Sequence, residues 1–577
     1  MEKFKEDSFQ NFGGLNQKVS QYITGEREAL QLVNVDFTVP GSWTKAPGST
    51  YYSGATVAGR ITGLYEFEKL SGFSQIIFTA NTNAYYFDGV VPTAFRSSLT
   101  NGALFDFVTF VDTLFMANGT EFFKWDGSQS YNFSIPTNPT PSAGLIAAGT
   151  PGFSGSFNYA VGYLNTNGFF GPVSSEVNIS TAGTQIALSG FTFPLGFGIT
   201  AAVVYRTSPS GSDLFRIGYV PFGNATFVDT GLALSAQLAP DAIYFTLAPK
   251  YLEIFQNSLF MSGFPSTPGS SITPSSVVYS ESGTPENILE NNNFETRTND
   301  GDIVRGMKAY QQSLYIFKER SFHRLTGDNS SNYVLNEISD QYGCLSNRCI
   351  AVYEDVLLFL DRKGICEWNG AGVRIVSTPV EPIFLNMNLT AARDNAVAIH
   401  NRLRNEVWFG IPVDGATLNN MTVVYDYYSK AWTTFQGFNP SSLAVIRGPF
   451  DQSRAFYGSY EGSVHFSSAS IFSHNGTPMT FKVQTQYYNQ LGQSITSQWR
   501  RLFTNTSVVG ATLTVRFRTD NEDDIQDERY VSTGAFQSRL EFGIPSKNLS
   551  IEYEFVSASL PIRIDGFTLE SRLQRKV

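Results

Sequence analysis

The chain has 577 residues, 14% of them aromatic and 16% charged, and a formal net charge of −10. That balance excludes a surface that grips nucleic acid through clustered Lys and Arg, although an acidic or neutral wall would let a phosphate backbone slide past. Three cysteines, Cys344, Cys349 and Cys366, fall in one short stretch. The odd count argues against a disulfide framework and for folding in a reducing compartment.

The 49 Phe and 28 Tyr are punctuated by 50 Gly and 25 Pro. Aromatic residues suit pleated, half-buried surfaces, so the chain reads as all-β. No apolar run approaches the ~20 residues that span a bilayer, so no membrane-spanning segment is expected. The charged start Met1–Asp7 is not followed by an apolar core and does not read as a secretory signal.

Residues 1–58 form an N-terminal arm with the first strands. Phe12-Gly13-Gly14-Leu15-Asn16 is a turn-forming cluster, and Lys45, Pro47 and Gly48 close a compact turn that begins at Gly41 and carries Trp43. Two readings stand side by side: an edge strand with its turns, or an extended arm docking on a neighbouring subunit through these eight residues.

Residues 59–137 and 239–470 share a repeated hairpin. Leu114–Gly127, Leu314–Gly327, Leu357–Gly370 and Ala455–Phe466 each run from a short apolar strand through a polar turn into a second strand, and Ile76–Gly89 is a weaker relative. Such a hairpin cannot bury its apolar face alone. Radial stacking of four-stranded units solves the problem, and the expected architecture is a β-propeller of six or seven blades.

Between the two halves, residues 138–238 break the pattern. Pro136, Pro139, Pro141 and Pro151 form a stiff linker. About seven short strands then suit a small β-sandwich. Asn167–Glu176, Val204–Thr207 and Thr226–Thr230 give it a resemblance to the fibronectin type III fold. Residues 471–577 form a C-terminal β-sandwich-like unit with strictly alternating strands, one face of which is solvated or packs on another subunit. Its basic end, Arg572–Val577, reads as a solvated tail.

No catalytic, cofactor-binding or metal-ligating residue is assigned. The four histidines, His323, His400, His465 and His474, lack metal-site spacing. The three cysteines have no evident fourth ligand for zinc. The acidic run Asp520–Glu528 lacks the central Gly and closing Glu of an EF-hand loop and reads as a solvated hairpin end. Asp88, Asp126 and Asn369 stand at equivalent hairpin ends, where they satisfy turn amides. No carboxylate pair is placed as in a glycosidase; Asp361 and Asp426 are the acids to test for one.

Asn11-Phe-Gly-Gly-Leu-Asn16, Glu28–Asp36 and Gly41-Ser-Trp-Thr-Lys-Ala-Pro-Gly48 together resemble the start of the tail nozzle (tail tubular protein B) and packaged-DNA stabilisation proteins of short-tailed phages. Lys45-Ala46 stands where that group has Arg before Pro-Gly. The resemblance implies a virion protein assembled in the host bacterial cytoplasm. It implies a homo-oligomeric ring, commonly of six subunits, below the portal and adaptor. Genomic DNA would pass through the ring without sequence-specific binding, along a wall that is acidic or neutral. It implies no catalysis and no cofactor. The alternatives are a receptor- or carbohydrate-binding propeller of a phage tail and, third, a propeller glycosidase.

Overall fold

The structure is a computed structural model, and it describes residues 5–89, 91–268, 270–297, 300–447, 452–489, 495–507, 512–520, 524–532 and 537–573. Its centre is a propeller of seven four-stranded antiparallel blades. The innermost strands are Ile61–Glu68 in blade 1, Asp106–Phe110 in blade 2, Tyr251–Phe255 in blade 3 and Val304–Tyr310 in blade 4. Ile350–Tyr353, Val397–Asn401 and Ser442–Ile446 follow in blades 5 to 7. The next strand outward is buried on both faces in several blades, as in Thr113–Ala117, Ser258–Ser262, Ser313–Lys318 and Glu406–Ile411. That is why these strands read as unbroken apolar runs. Each is pressed between the blades on either side, so both of its faces need apolar side chains.

An apolar layer lies between consecutive blades. Phe67 and Ile77 of blade 1 meet Leu114, Met116 and Phe123 of blade 2. Ile61 and Phe78 of blade 1 meet Ile446 and Phe456 of blade 7, which closes the circle. Full burial of each such side chain is worth about 1.5–3 kcal/mol.

Blade 7 draws only three strands from its own stretch of chain. Its outermost strand is Ser49–Tyr51, paired antiparallel with Val464–Ser467 so that Thr50 faces Phe466. The N-terminal segment is therefore no free arm. Lys5–Gln10 and Trp43–Lys45 both pair with the last strand, Arg563–Leu573. Ala29–Val33 pairs with Thr477–Thr485, and Val33 also meets Thr434 at the edge of blade 6. Within the chain, this segment docks on the C-terminal unit and on the edges of blades 6 and 7. The reason is a set of unpaired strand edges at both ends of the sequence, which these strands complete.

The C-terminal unit is two facing sheets. One holds Arg563–Leu573, Ser497–Ser507 and Gln537–Ser546; the other holds Thr477–Thr485, Ser550–Ser557, Thr512–Arg518 and Ile525–Ser532. The Phe517 and Phe542 rings stack between them at 3.9 Å. Their core, with Trp499 and Leu569, is continuous with that of blades 4 to 6 through residues such as Tyr315, Phe359 and Trp432. Residues 521–523 of the acidic run and 574–577 of the basic end lie outside the described residues.

The insert has five strands where about seven were expected. They form one sheet in the order Phe215–Pro221, Ile199–Arg206, Ser142–Asn165, Val177–Ser189, Thr226–Asp229. The 24-residue strand Ser142–Asn165 slips register twice against Val177–Ser189, its partner along its first part, and once against Ile199–Arg206, its partner along its last. Such irregularities bend a strand, and the sheet folds over its own core of Tyr159, Tyr163, Ile186, Leu188 and Val204. Two short helices, α1 (Glu381–Leu385) and α2 (Leu389–Asn395), interrupt the β pattern between blades 5 and 6.

Candidate functional site: the central channel of the propeller

The eight residues expected at a subunit contact sit at the seam between propeller and C-terminal unit. Phe12 stacks on Trp43 at 3.7 Å, and the Trp43 indole donates to the Gly13 carbonyl at 3.1 Å. Gly14 lies so close to blade 6 that a Cβ there would stand 2.6 Å from the Trp432 backbone nitrogen. Leu15 is buried, and its N–H donates to the Trp432 carbonyl at 2.8 Å. Asn16 donates to Glu28 at 2.8 Å. Lys45 is buried, and its Nζ donates to the Ser557 carbonyl at 2.6 Å above the Phe555 ring. Desolvation pushes its ammonium down to about 8. Pro47 is half-buried beside buried Gly48, whose Cβ position is 2.0 Å from the Ser473 carbonyl oxygen. Arg404 pairs with Glu406 and reaches across to Asp36, fastening the same segment to blade 6.

The carboxylates singled out as possible acids do turn work. Asp361 accepts from the Gly343 and Lys363 amides at 3.0 and 2.9 Å. Asp426 accepts from the Ser429 amide and hydroxyl at 2.6 and 2.7 Å. Asp126 and Asn369 likewise accept from the amides that follow them. Cys344, Cys349 and Cys366 are buried free thiols; burial pushes all three up, Cys344 to about 12.

The histidines are likewise strand or turn residues. His323 stands buried in the third strand of blade 4, and His400 shares a hydrogen bond with the Tyr427 hydroxyl at 3.2 Å. His465 and His474 lie with Tyr457 around a cavity beside blade 7, and Ser49 hydrogen-bonds to Tyr457 and His474 at 2.8 and 3.0 Å; desolvation holds both rings neutral, near 4. Among the described residues, no group of three or more His, Cys, Asp and Glu is arranged to hold a metal ion.

The polar groups that do converge lie in the central channel, on inner strands. Asp106 of blade 2 accepts from the Leu252 amide of blade 3 at 2.8 Å and from the Asn347 amide side chain at 2.9 Å. Burial outweighs these donors and pushes its carboxyl up to about 7. Lys308 of blade 4 pairs with Glu253 of blade 3 at 3.0 Å, and that carboxylate holds its ammonium above the usual range. Tyr65 of blade 1 accepts from the Thr109 amide at 3.2 Å, and its ring stacks on Phe107 at 5.6 Å. Gly63 leaves room for that Phe107 ring, which passes 2.4 Å from where a Cβ would be. These side chains surround a cavity of about 230 Å³. Blades 1 and 2, 2 and 3, and 3 and 4 are each tied here by a polar contact. The sequence singled out neither Asp106 nor Lys308 and Glu253. The one signal was the alternation of Phe105–Asp112, which places Asp106 and Phe107 on opposite faces.

No protein-family profile and no curated protein matches this chain. Among solved structures, BBS1N crystallised in complex with ARL6DN aligns at 7% identity with a TM-score of 0.31, over 73% of this chain and 97% of that one. An exo-β-1,3-galactanase from Phanerochaete chrysosporium aligns at 11% identity with a TM-score of 0.17, over 72% of this chain and all of the other. Neither likeness is strong enough to inform function, and the propeller assignment rests on strand pairing alone.

Proposed function

We propose that this chain is a non-catalytic structural subunit of a short phage tail, assembling as a ring that retains packaged DNA and conducts it on ejection. The observation that carries the reading is the position of the segment with the nozzle-like pattern. Residues 11–48 bolt the propeller to the C-terminal unit through Trp43, Leu15, Lys45 and the Asp36–Arg404 pair. A wall segment of a loaded conduit needs such a joint, because shear between modules would open the seam.

In such a ring the conduit forms around the axis between copies, through heterologous contacts that close. The insert presents Leu195, Tyr219 and Phe222 to solvent, apolar surface that a ring neighbour would cover.

Mass photometry of the purified chain, alone and mixed with the adaptor ring of its virion, followed by negative-stain imaging, tests the proposal. A closed ring of about six copies is expected. Monomers under every condition, or specific capture of a glycan by the isolated chain, would replace it with the receptor-binding alternative.

A further inference from the structure

Four of the seven inner strands begin at or beside a basic residue. Arg60 precedes blade 1, Lys250 precedes blade 3, Arg305 is the second residue of blade 4's inner strand, and Arg348 lies just ahead of blade 5. All four are therefore at one end of the channel. Helix α2 adds Arg393, Asp394 and Asn395 at the same end. Arg60 donates to the Asn395 side chain at 2.7 Å, Lys250 lies 3.8 Å from Asp394, and Arg393 and Arg305 share Glu319 at 2.6 and 3.3 Å.

The acids present do not balance these cations. Glu319 serves two arginines, and Asp394 lies at long range from Lys250 and within electrostatic reach of Arg60 and Arg393. Asp302 is occupied with the Glu319 and Arg320 amides, and Asp106 faces the channel beneath. Arg60 and Arg348 have only neutral acceptors: Asn395 for the first and the Ser441 carbonyl, at 2.6 Å, for the second. Arg60 also lies over the Tyr460 ring at 5.3 Å. The like charges press on one another. Burial, with Arg60, holds Arg348 down near 10, and burial, with Arg305 and Arg348, lowers Lys250 against the pull of Asp394.

The decisive feature is unmet donors. Five buried guanidinium nitrogens here have no hydrogen-bond acceptor among the described residues: Arg60 Nε and Nη2, Arg305 Nε, Arg348 Nη1 and Arg393 Nε. A buried donor without a partner is costly, and more so when charged. Guanidinium groups present planar, paired donors that match the oxygens of a phosphate. Arg348 also borders both the small mouth cavity and the 230 Å³ cavity below it. The larger of these has room for several water-sized groups.

We propose that this mouth is a binding site for a small tetrahedral oxyanion of the phosphate class. Arg60 and Arg348 hold it, and Arg305, Arg393 and Lys250 complete the positive rim. The bound anion ties blades 1, 3, 4 and 5 to α2 and so acts as a keystone of the propeller. This site is independent of the nozzle reading and stands or falls by itself.

Isothermal titration of the full chain with inorganic phosphate, and separately with glycerol phosphate, at ionic strength matched with chloride, tests it. Binding of one phosphate per chain is expected, with a thermal midpoint raised by about 2 °C or more over chloride. Arg60→Gln and Arg348→Gln are expected to weaken binding roughly tenfold or more, the loss of one charged hydrogen-bonded contact, whereas Arg529→Gln, on the C-terminal unit, leaves it unchanged. Glycerol phosphate binding as well as phosphate would identify the ligand as a phosphomonoester group; phosphate alone would identify the free ion. No phosphate-specific heat or midpoint shift in the wild-type chain overturns the proposal, whether or not the variants fold. Undiminished binding in both arginine variants overturns it equally.

Discussion

Lys124, Glu286 and Asn165 join blade 2, blade 3 and the insert at one buried point. The Lys124 ammonium meets Glu286 at 2.5 Å, and Asn165 donates to the same carboxylate oxygen at 2.9 Å. The two charged side chains are 1% and 0% exposed, so water screens neither. At an effective dielectric of about 20, two charges this close attract by about 7 kcal/mol. That attraction mostly offsets the cost of desolvating both ions. Lys124→Met removes the attraction and leaves the carboxylate buried, with Asn165 as its remaining side-chain donor. A loss of about 3–5 kcal/mol in unfolding free energy is expected. Glu286→Gln in the same background keeps an acceptor for Asn165 and removes the stranded charge. The double variant is therefore expected to be more stable than Lys124→Met by about 2 kcal/mol or more. Urea unfolding followed by tryptophan fluorescence measures all four corners of the cycle, with Trp125 as a reporter beside the site. A single variant within about 1 kcal/mol of wild type, or a double variant no better than the single, would refute the claim that this pair carries an uncompensated buried charge when broken.

Three further outcomes follow from positions elsewhere. Val111 occupies the left-handed region at φ 49° in the exposed hairpin turn of blade 2, where a β-branched side chain is strained; Val111→Asn is expected to raise stability by about 1 kcal/mol in the same urea assay. Gly48→Ala forces a methyl group against the Ser473 backbone. It is expected to loosen the strand that closes blade 7 and the C-terminal sheet that follows Ser473 together, read as faster proteolytic cleavage between residues 49 and 60. Asp106 has its carboxyl raised to about 7 in the fold. The folded chain therefore keeps a proton that the unfolded chain has lost, and stability falls as pH rises from about 4 to about 7, by up to on the order of 4 kcal/mol. Asp106→Asn is expected to remove that slope, so the variant gains on wild type across this window; parallel slopes for both chains would count against it.

The repeated hairpin was legible because each blade buries its second strand between neighbours, which leaves a dense local pattern such as Leu114-Phe-Met-Ala. The turns were harder to read. Val111-Asp112, Gln256-Asn257 and Gln311-Gln312 occupy equivalent positions with positive φ, yet none carries the Asn-Gly or Asp-Gly signature of a two-residue hairpin loop. The turn roles of Asp126 and Asn369 were visible because a side chain accepting from amides two and three residues ahead is a local event. The channel was not, because Asp106 finds Leu252 and Asn347 only after blades have closed. The insert misled in another way. Register slips let one strand do the work of two, and a strand count cannot see that.

The N-terminal segment shows why distance along the chain matters more than pattern here. Thr50 pairs with Phe466, Lys5–Gln10 with Arg563–Leu573 and Ala29–Val33 with Thr477–Thr485. These contacts close loops of more than 400 residues, and such pairings form late because loop entropy is lost before the contacts repay it. Neither the seventh blade nor the C-terminal sandwich is complete until residues 5–51 are in place, so the two modules cannot mature separately. Closure of the propeller and completion of the sandwich are then one cooperative event. It follows that a lesion in the short stretch from Phe12 to Gly48 weakens both modules together, whereas a lesion in the insert, which has its own core around Tyr159 and Tyr163, leaves them standing.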